Sequence, residues 1–365
     1  MKILDPLPNP KILSLLLTLQ CNAQCRHCGT LSGPKVKSRL DVAVARRLIR
    51  EAKALDYDSL VFTGGEPMMY GEELFELLTL GHSLGLPTRI VTNGFWAKDR
   101  QRADAMLHRL VDAGLGEINF STGDEHARFV PLTNIVWGIR AGLDVGITVA
   151  VMIEVVEGRT VSLDALKQHP VFRSSISDDE AEQVTFSESP WMPLDDQELA
   201  NYPPGLAANA TNIGRRLGCD SVINTSTVMA DGRMMACCGL GTLTIPELQI
   251  GDVARDSLAA VRARAESDFL KRWIRNEGPE RILMWAASKD PGIEWEDRYA
   301  HRCQACKRLY SDQRVRSVIR AHYEEKILDV LYSEWLLHEF VADDDALDSS
   351  SSVVERSAEV EKTGC

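Results

Sequence analysis

The chain has 365 residues, of which 44% are hydrophobic, and a formal net charge of -12 at pH 7. This is enough apolar material for one large α/β domain and a smaller one. Basic residues are mixed with acidic ones and form no stripe, so we expect no binding to nucleic acid. Because no apolar run approaches the roughly 18 to 20 residues that span a bilayer, and no signal peptide is recognised, we expect a cytoplasmic protein without a membrane segment.

Short apolar runs alternate with helical patterns in the first half of the chain. The runs predict strands at 13–19, 59–63, 88–92, 117–121, 147–155 and 183–187. Between them, the spacing of apolar residues predicts helices such as 41–54 and 72–84. This alternation is typical of βα units around a parallel sheet. Six repeats favour a partial (β/α)6 barrel of TIM type over an open doubly wound sheet.

The pattern changes after about Ser189, where prolines and asparagines interrupt it. A hairpin is predicted from 221–229 and 234–237 around an Asp-Gly turn, followed by helices at 256–276 and 311–341. The last residues are acidic and rich in serine, which is typical of a disordered tail. The predicted organisation is a lead-in (1–12), a barrel (13–190), a small α+β domain (191–310), a C-terminal helix (311–342) and a tail (343–365).

Three cysteines follow the first predicted strand, in a loop where barrel enzymes usually place their chemistry. Cys21, Cys25 and Cys28 are spaced C-x3-C-x2-C. Thiolates ligate iron–sulfur clusters, and three ligands to a cubane leave one iron open to bind another molecule. A zinc site fits this spacing less well, because zinc favours paired cysteines and four ligands. Zinc and buried structural cysteines remain the alternatives.

A second motif, Gly64-Gly65-Glu66-Pro67, follows the second predicted strand. The two glycines permit close approach of the backbone to a ligand, and the Glu66 carboxylate can pair with an ammonium group. The alternative is an ordinary turn from strand to helix with proline at the helix start.

Together, the cysteine triplet and the Gly-Gly-Glu-Pro segment resemble the radical S-adenosylmethionine (SAM) superfamily. The resemblance implies a [4Fe–4S] cluster on Cys21, Cys25 and Cys28, with SAM chelating the fourth iron. It also implies reductive cleavage of SAM to a 5′-deoxyadenosyl radical that abstracts hydrogen from a substrate. His27 stands where the family usually has an aromatic residue near the adenine, and Glu66 would pair with the SAM ammonium.

Weaker candidates follow the third and fourth predicted strands: Asn93, Ser121, Asp124 and His126. The resemblance implies that Ser121 and Asp124 hydrogen-bond the SAM ribose or carboxylate. Asn93 could instead tolerate a left-handed turn, and Asp124 could cap the next segment. His126 is a candidate for proton transfer near the substrate, with a purely structural histidine as the alternative.

Besides Cys365 in the tail, five further cysteines lie in the second half of the chain: Cys219, Cys237, Cys238, Cys303 and Cys306. By count, four thiolates suit a zinc ion or an iron–sulfur cluster equally. The arrangement around the predicted hairpin resembles the SPASM/twitch extensions of radical SAM enzymes. That resemblance implies one auxiliary [4Fe–4S] cluster on Cys219, Cys237, Cys303 and Cys306. Cys238 could replace Cys237 as ligand, be a buried thiol, or donate a hydrogen atom to a substrate radical, as a cysteine does in radical SAM epimerases.

Three functions are compatible with these patterns. The first is a maturase that epimerises, cross-links or dehydrogenates a ribosomally made peptide, with an electron donor such as flavodoxin or ferredoxin. Because Cys21 lies near the N-terminus, we expect no leader-binding domain before the barrel, and the helix at 311–341 could dock the peptide instead. The second is oxidation or epimerisation of a small molecule such as an aminocyclitol or sugar. The third is a non-catalytic metal-binding scaffold.

Overall fold

The computed structural model describes residues 10–192 and 201–347, with side chains up to residue 336. In these ranges nine strands form one sheet in the order β6-β5-β4-β3-β2-β1-β7-β8-β9. The strands are β1 (Ile12–Thr18), β2 (Ser59–Gly64), β3 (Thr88–Thr92), β4 (Glu117–Thr122), β5 (Thr148–Val155), β6 (Val184–Pro190), β7 (Thr225–Val228), β8 (Arg233–Met235) and β9 (Gln249–Asp252). Each of β1 to β6 pairs in parallel with the next. The predicted partial barrel is confirmed.

Helices connect the parallel strands and cover the outside of the sheet. They are α1 (Val42–Ala54), α2 (Glu72–Ser83), α3 (Arg100–Asp112), α4 (Asp124–Ala127), α5 (Leu132–Asp144), α6 (Leu163–Lys167), α7 (Pro170–Ser175) and α8 (Asp178–Ala181). The second half adds α9 (Leu258–Ser267), α10 (Phe269–Glu277), α11 (Pro279–Lys289), α12 (Arg302–Ser311), α13 (Gln313–His322) and α14 (Glu324–Leu347). No helix in the described ranges combines the length and apolar character needed to cross a bilayer.

The alternation of side chains along β4 shows how the core and the barrel interior are separated. Phe120 is fully buried toward α5, where a Cβ on Gly138 would lie 2.4 Å from its ring. Asn119 and Ser121 therefore face the opposite side, the barrel interior. Ser121 stands in register with Met152 of β5. The interior thus carries polar side chains at the carboxyl ends of the strands.

The sheet continues across the predicted domain boundary at residue 190. Ile12 of β1 pairs in parallel with Ser59 of β2 on one side and with Thr225 of β7 on the other. The antiparallel strands β8 and β9 then extend the same sheet. The predicted Asp-Gly turn is present between β7 and β8, with Gly232 at φ 90°. A boundary read from prolines and asparagines alone could not show that the second module shares the barrel's sheet.

The C-terminal helices differ from those predicted. The helix predicted at 256–276 is two helices, because Asp268 has an extended backbone and its carboxylate accepts the N–H of Lys271, capping α10. The helix predicted at 311–341 is divided into α13 and α14, and α11 and α12 were not predicted. Since α14 ends at Leu347, the start of the predicted tail is helical. The rest of the predicted tail, residues 348–365, lies outside the described residues.

Candidate metal and cofactor sites

Cys21, Cys25 and Cys28 lie together in the loop after β1. All three are free thiols. The backbone N–H of Ala23 donates to Cys21 Sγ at 3.4 Å, and that of Ser32 donates to Cys28 Sγ at 3.3 Å. Burial raises the pKa of Cys21 to about 11 and that of Cys25 to about 12, and the neighbouring Cys28 adds to both shifts. A bound metal would supply the positive charge that thiolates need here, so the donor set fits a metal cluster.

The Gly-Gly-Glu-Pro segment is packed directly against the chain leaving β1. Gly65 N–H donates to the Thr18 carbonyl at 2.6 Å, and Glu66 N–H donates to the Gln20 carbonyl at 2.9 Å. A Cβ on Gly64 would lie 2.3 Å from the Thr18 oxygen, and one on Gly65 would lie 2.4 Å from the Gln20 oxygen. The two glycines therefore allow this turn to pack closely against the backbone of the cysteine loop.

Glu66 is fully buried and its carboxylate is held by three donors within the protein. It accepts hydrogen bonds from Met68 N–H at 3.2 Å, Thr92 Oγ1 at 2.7 Å and Asn93 N–H at 2.9 Å. Burial raises its pKa to about 7, and these hydrogen bonds oppose that rise. Pro67 begins a short 3-10 turn that Glu66 caps. The structure thus contains the turn from strand to helix with a proline at its start, which was the alternative interpretation of this motif. The buried carboxylate of Glu66 stabilises that turn.

Asn93 connects the end of β3 with the cysteine loop. Its Nδ2 donates to Asn22 Oδ1 at 2.9 Å and approaches Cys21 Sγ at 3.6 Å. The left-handed residue of this turn is Gly94, with φ 72°, and not Asn93. The side-chain amide of Asn93 therefore helps to hold the loop that carries the three thiols.

Asp124 and Ser121 are placed differently after β4. Asp124 accepts from Thr160 Oγ1 at 2.6 Å and from Val161 N–H at 2.8 Å, which fastens the segment after β5. Ser121 is half-buried on the interior face of β4. The carboxylate that was predicted to bind SAM is thus engaged with the loop at 160–161, whereas Ser121 faces the interior.

A carboxylate that the sequence did not single out joins the two candidate histidines. Glu154, near the end of β5, forms an ion pair with His27, and its Oε1 lies 3.1 Å from His126 Nδ1. Burial opposes ionisation, but hydrogen bonds from His126 and His27 hold the pKa of Glu154 at about 2. The two rings are 5.7 Å apart, and Trp191 lies 5.8 Å from His27. The only sequence feature that could have indicated Glu154 is its position near the end of a predicted strand.

Glu125, at the start of α4, clamps the cysteine loop and was also missed. Its carboxylate accepts from the backbone N–H of Arg26 at 3.1 Å and from Arg26 Nε at 3.0 Å. Arg128 Nη1 donates to the same group at 2.9 Å. Cys25 Sγ donates to the Glu125 carbonyl at 3.8 Å. One residue therefore fixes the stretch between the second and third cysteines.

The second group of thiols comes from three separate segments. Its members are the free thiols of Cys219, Cys237, Cys303 and Cys306. A Cβ on Gly239 would lie 2.8 Å from Cys303 Sγ and 3.8 Å from Cys237 Sγ. Burial raises the pKa of each thiol. The charges of the neighbouring cysteines add to the rise for Cys219, Cys237 and Cys306. Four neighbouring thiols, one buried and three partly buried, with hydrogen-bond donors to several of the sulfurs fit an iron–sulfur cluster or a zinc ion.

Cys237 and Cys238 differ in their surroundings although they are neighbours in the chain. Cys237 Sγ lies 3.1 Å from Thr242 Oγ1 on the side of the other three thiols. Cys238 Sγ lies 3.2 Å from Ser221 Oγ, and the backbone N–H of Cys238 donates to the same oxygen at 3.1 Å. The grouping favours Cys237 over Cys238 as the fourth member of the set.

Comparison with known proteins gives matches over about a third of the chain. The peptide biosynthesis protein YydG of Bacillus subtilis is 29% identical over 126 residues, which is 34% of this chain and 40% of that protein. The PqqA peptide cyclase of Xanthomonas euvesicatoria is 30% identical over 121 residues, 33% of this chain and 31% of that protein. The matched part thus spans two fifths or less of these relatives.

A solved structure is similar over most of the chain. Native anSMEcpe with bound AdoMet and Cp18Cys peptide superposes with a TM-score of 0.51, covering 86% of this chain and 99% of that one. The identity is 13%, so this likeness shows the fold. The sequence model of the radical SAM superfamily matches residues 15–153, which include the three-cysteine loop and the Gly-Gly-Glu-Pro turn. The chain therefore contains a domain of the radical SAM superfamily.

Proposed function

We propose that this chain is a radical SAM enzyme that acts on a ribosomally made peptide. The observation that carries the proposal is the convergence of Cys21, Cys25 and Cys28 beside the Gly64–Pro67 turn at the carboxyl ends of β1 and β2. When bound, a reduced [4Fe–4S] cluster and SAM supply a 5′-deoxyadenosyl radical that abstracts hydrogen from an unactivated carbon. The protein's part is to hold both cofactors and to control the fate of the substrate radical.

The residues proposed to hold SAM line one end of the barrel: His27, Gly64, Gly65, Glu66, Pro67, Asn93, Ser121 and Asp124. Their contributions differ. Glu66 and Asp124 act mainly by ordering backbone, because their carboxylates are already engaged. Asn93 positions the cysteine loop. His126, 3.1 Å from Glu154, is proposed for proton transfer, since an imidazole beside a carboxylate can take up or release a proton.

The peptide substrate is supported by the names of the relatives. Two proteins similar to about a third of the chain are a peptide biosynthesis protein and a peptide cyclase. We further propose that Cys219, Cys237, Cys303 and Cys306 hold one auxiliary [4Fe–4S] cluster of the twitch type. The reaction would then be epimerisation, cross-linking or dehydrogenation of the peptide, with flavodoxin or ferredoxin as electron donor.

The first test is the release of 5′-deoxyadenosine from SAM after anaerobic reconstitution and reduction with dithionite. We expect release by the wild type and none by a variant with Cys21, Cys25 and Cys28 changed to alanine. Cys365→Ala is the matched control, because it removes a cysteine outside both groups. No release by the fully loaded wild type would contradict the proposed enzyme and favour a metal-binding scaffold.

Metal analysis of the same samples tests the second site. Two [4Fe–4S] clusters correspond to about eight irons per chain, which should fall to about four in the triple variant. Stoichiometric zinc in place of the remaining iron would support the zinc alternative. Mass spectrometry of peptides after turnover in deuterated water then separates the reactions: loss of two hydrogens indicates oxidation or cross-linking, and one deuterium gained indicates epimerisation.

A further inference from the structure

Arg302 is a largely buried arginine beside the four-cysteine group. It is the first residue of α12 and immediately precedes Cys303. Its side chain is only 16% exposed. Nη1 donates to the carbonyl of Gly218, the residue before Cys219, at 2.9 Å. The positive charge of Arg302 lowers the pKa of the Cys219 thiol and so opposes the effect of burial. One residue therefore joins the segments that carry two of the four thiols.

The loop that Arg302 contacts is fixed in place. Cys219 N–H donates to the Ile274 carbonyl at 3.0 Å. A Cβ on Gly218 would lie 2.0 Å from the Arg275 carbonyl oxygen, so only glycine fits there. The nearest carboxylate on this loop, Asp220, lies 4.0 Å from Arg302 Nη1. The guanidinium is thus held beside the two residues that flank Cys219 in the chain.

A fixed positive charge has a definite effect on a metal cluster with thiolate ligands. Reduction adds one negative charge to the cluster, and a nearby cation stabilises that charge. Arginine keeps its proton under all relevant conditions, so this effect is permanent.

We infer that Arg302 is a positioning residue for the auxiliary cluster, and that its charge, held beside Cys219 and Cys303, raises the reduction potential of the cluster. The inference rests on the proposed [4Fe–4S] cluster at the four-cysteine group. Its consequence is that the auxiliary cluster is easier to reduce than the same four thiolates alone would make it.

The test is a redox titration followed by electron paramagnetic resonance. The full-length chain carries alanine at Cys21, Cys25 and Cys28, so that the auxiliary cluster alone gives the signal. Arg302→Met removes charge and donors, Arg302→Gln keeps an amide donor, and Arg302→Lys keeps the charge. Arg308→Met is the matched control on the same helix, because Arg308 pairs with Asp312 at 3.0 Å and not with a thiol.

We expect the midpoint potential to fall in Arg302→Met by at least the 59 mV that corresponds to a tenfold change in a one-electron ratio. Arg302→Lys should fall less, and Arg308→Met should match the parent. An unchanged potential in Arg302→Met overturns the inference. If that variant retains no iron, Arg302→Gln takes its place with the same criterion. If the parent variant binds no iron, both the auxiliary cluster and this inference are wrong. If the parent binds iron but the Arg302 variants have the same midpoint potential, only the role of Arg302 is wrong.

Discussion

The carboxylate of Glu66, after β2, accepts the backbone N–H of Asn93, after β3, at 2.9 Å. Because Glu66 N–H also donates to the carbonyl of Gln20, the same residue connects the exits of three adjacent strands. The cysteine loop, the glycine turn and the turn after β3 therefore keep fixed relative positions through one buried side chain.

Replacement of Glu66 should lower the free energy of unfolding and should change how that free energy depends on pH. Glu66→Ala leaves three buried donors without an acceptor, so we expect a loss of about 2–4 kcal/mol in the free energy of unfolding of the metal-free protein. Burial raises the pKa of Glu66 from 4.5 to about 7. Between these values the folded state binds more protons than the unfolded state, so stability falls as pH rises.

Urea unfolding at a series of pH values measures this effect, with Glu66→Gln as the variant that cannot titrate. The stability of the wild type relative to Glu66→Gln should decrease from about pH 5 to pH 7. A difference that stays constant or increases over this interval would show that Glu66 is ionised throughout.

Gly65 should not accept a side chain. A Cβ there would lie 2.4 Å from the Gln20 carbonyl oxygen, whereas one on Gly214 meets nothing within 4 Å. We expect Gly65→Ala to lower the free energy of unfolding by about 2 kcal/mol or more, and Gly214→Ala to change it by less than about 0.5 kcal/mol. Denaturant unfolding of both variants is the measurement, and equal stability of the two would refute the packing argument.

Glu125 should determine how well the first cluster is retained. Glu125→Ala removes the acceptor for Arg26 N–H and Nε, which frees the stretch between Cys25 and Cys28. We expect less iron after reconstitution and faster loss of iron to a chelator. Asp112→Ala, on the exposed side of α3, is the control. Retention of iron at the wild-type rate in Glu125→Ala would show that the clamp does not stabilise the loop.

Glu154 should stabilise the protein only while it is ionised. Hydrogen bonds from the two histidines hold its pKa at about 2, below its ordinary value of 4.5. Its contribution is therefore present above pH 4.5 and is lost as pH falls toward 2. We expect Glu154→Gln to cost about 1–3 kcal/mol at pH 7 and progressively less in acid. Thermal unfolding against the exposed control Glu157→Gln measures this, and a gap that widens in acid would contradict it.

The role of Cys238 as a hydrogen-atom donor stays a prediction. Only a reduced thiol can donate a hydrogen atom, so the test requires protein in which Cys238 has been reduced. If reduced Cys238 donates to a substrate radical, Cys238→Ala should still release 5′-deoxyadenosine but should lose the solvent-derived deuterium in the product. Mass spectrometry of the product formed in deuterated water is the measurement. An epimerised product with unchanged labelling would exclude this role.

The parts of the fold and site that follow from local sequence were predictable. The six parallel strands follow from apolar runs of the right length, and the order of the cysteines places three of them after β1. Asn93 and Gly65 were singled out as ligand groups because they follow strands, but their contacts with the cysteine loop depend on how neighbouring strands are aligned. Sequence spacing contains no such information.

The remaining features depend on residues that are far apart in the chain. Glu154 meets His27 only because β5 and the loop after β1 end on the same side of the barrel. Arg302 meets Gly218 across 84 residues. An acidic or basic residue near a strand or helix end is common, so nothing in the sequence distinguishes these from exposed charges. Their partners had to be seen before their roles could be inferred.

The pairing of β1 with both β2 and β7 bears on electron transfer. One hydrogen-bonded sheet carries the loop with the first three thiols and, beyond β8, the segment with Cys237. Electron tunnelling rates decay steeply with distance, so two redox centres joined by a flexible linker would exchange electrons at variable rates. Here any centres held by the two cysteine groups would keep a constant separation, and their exchange would depend on driving force and not on domain motion.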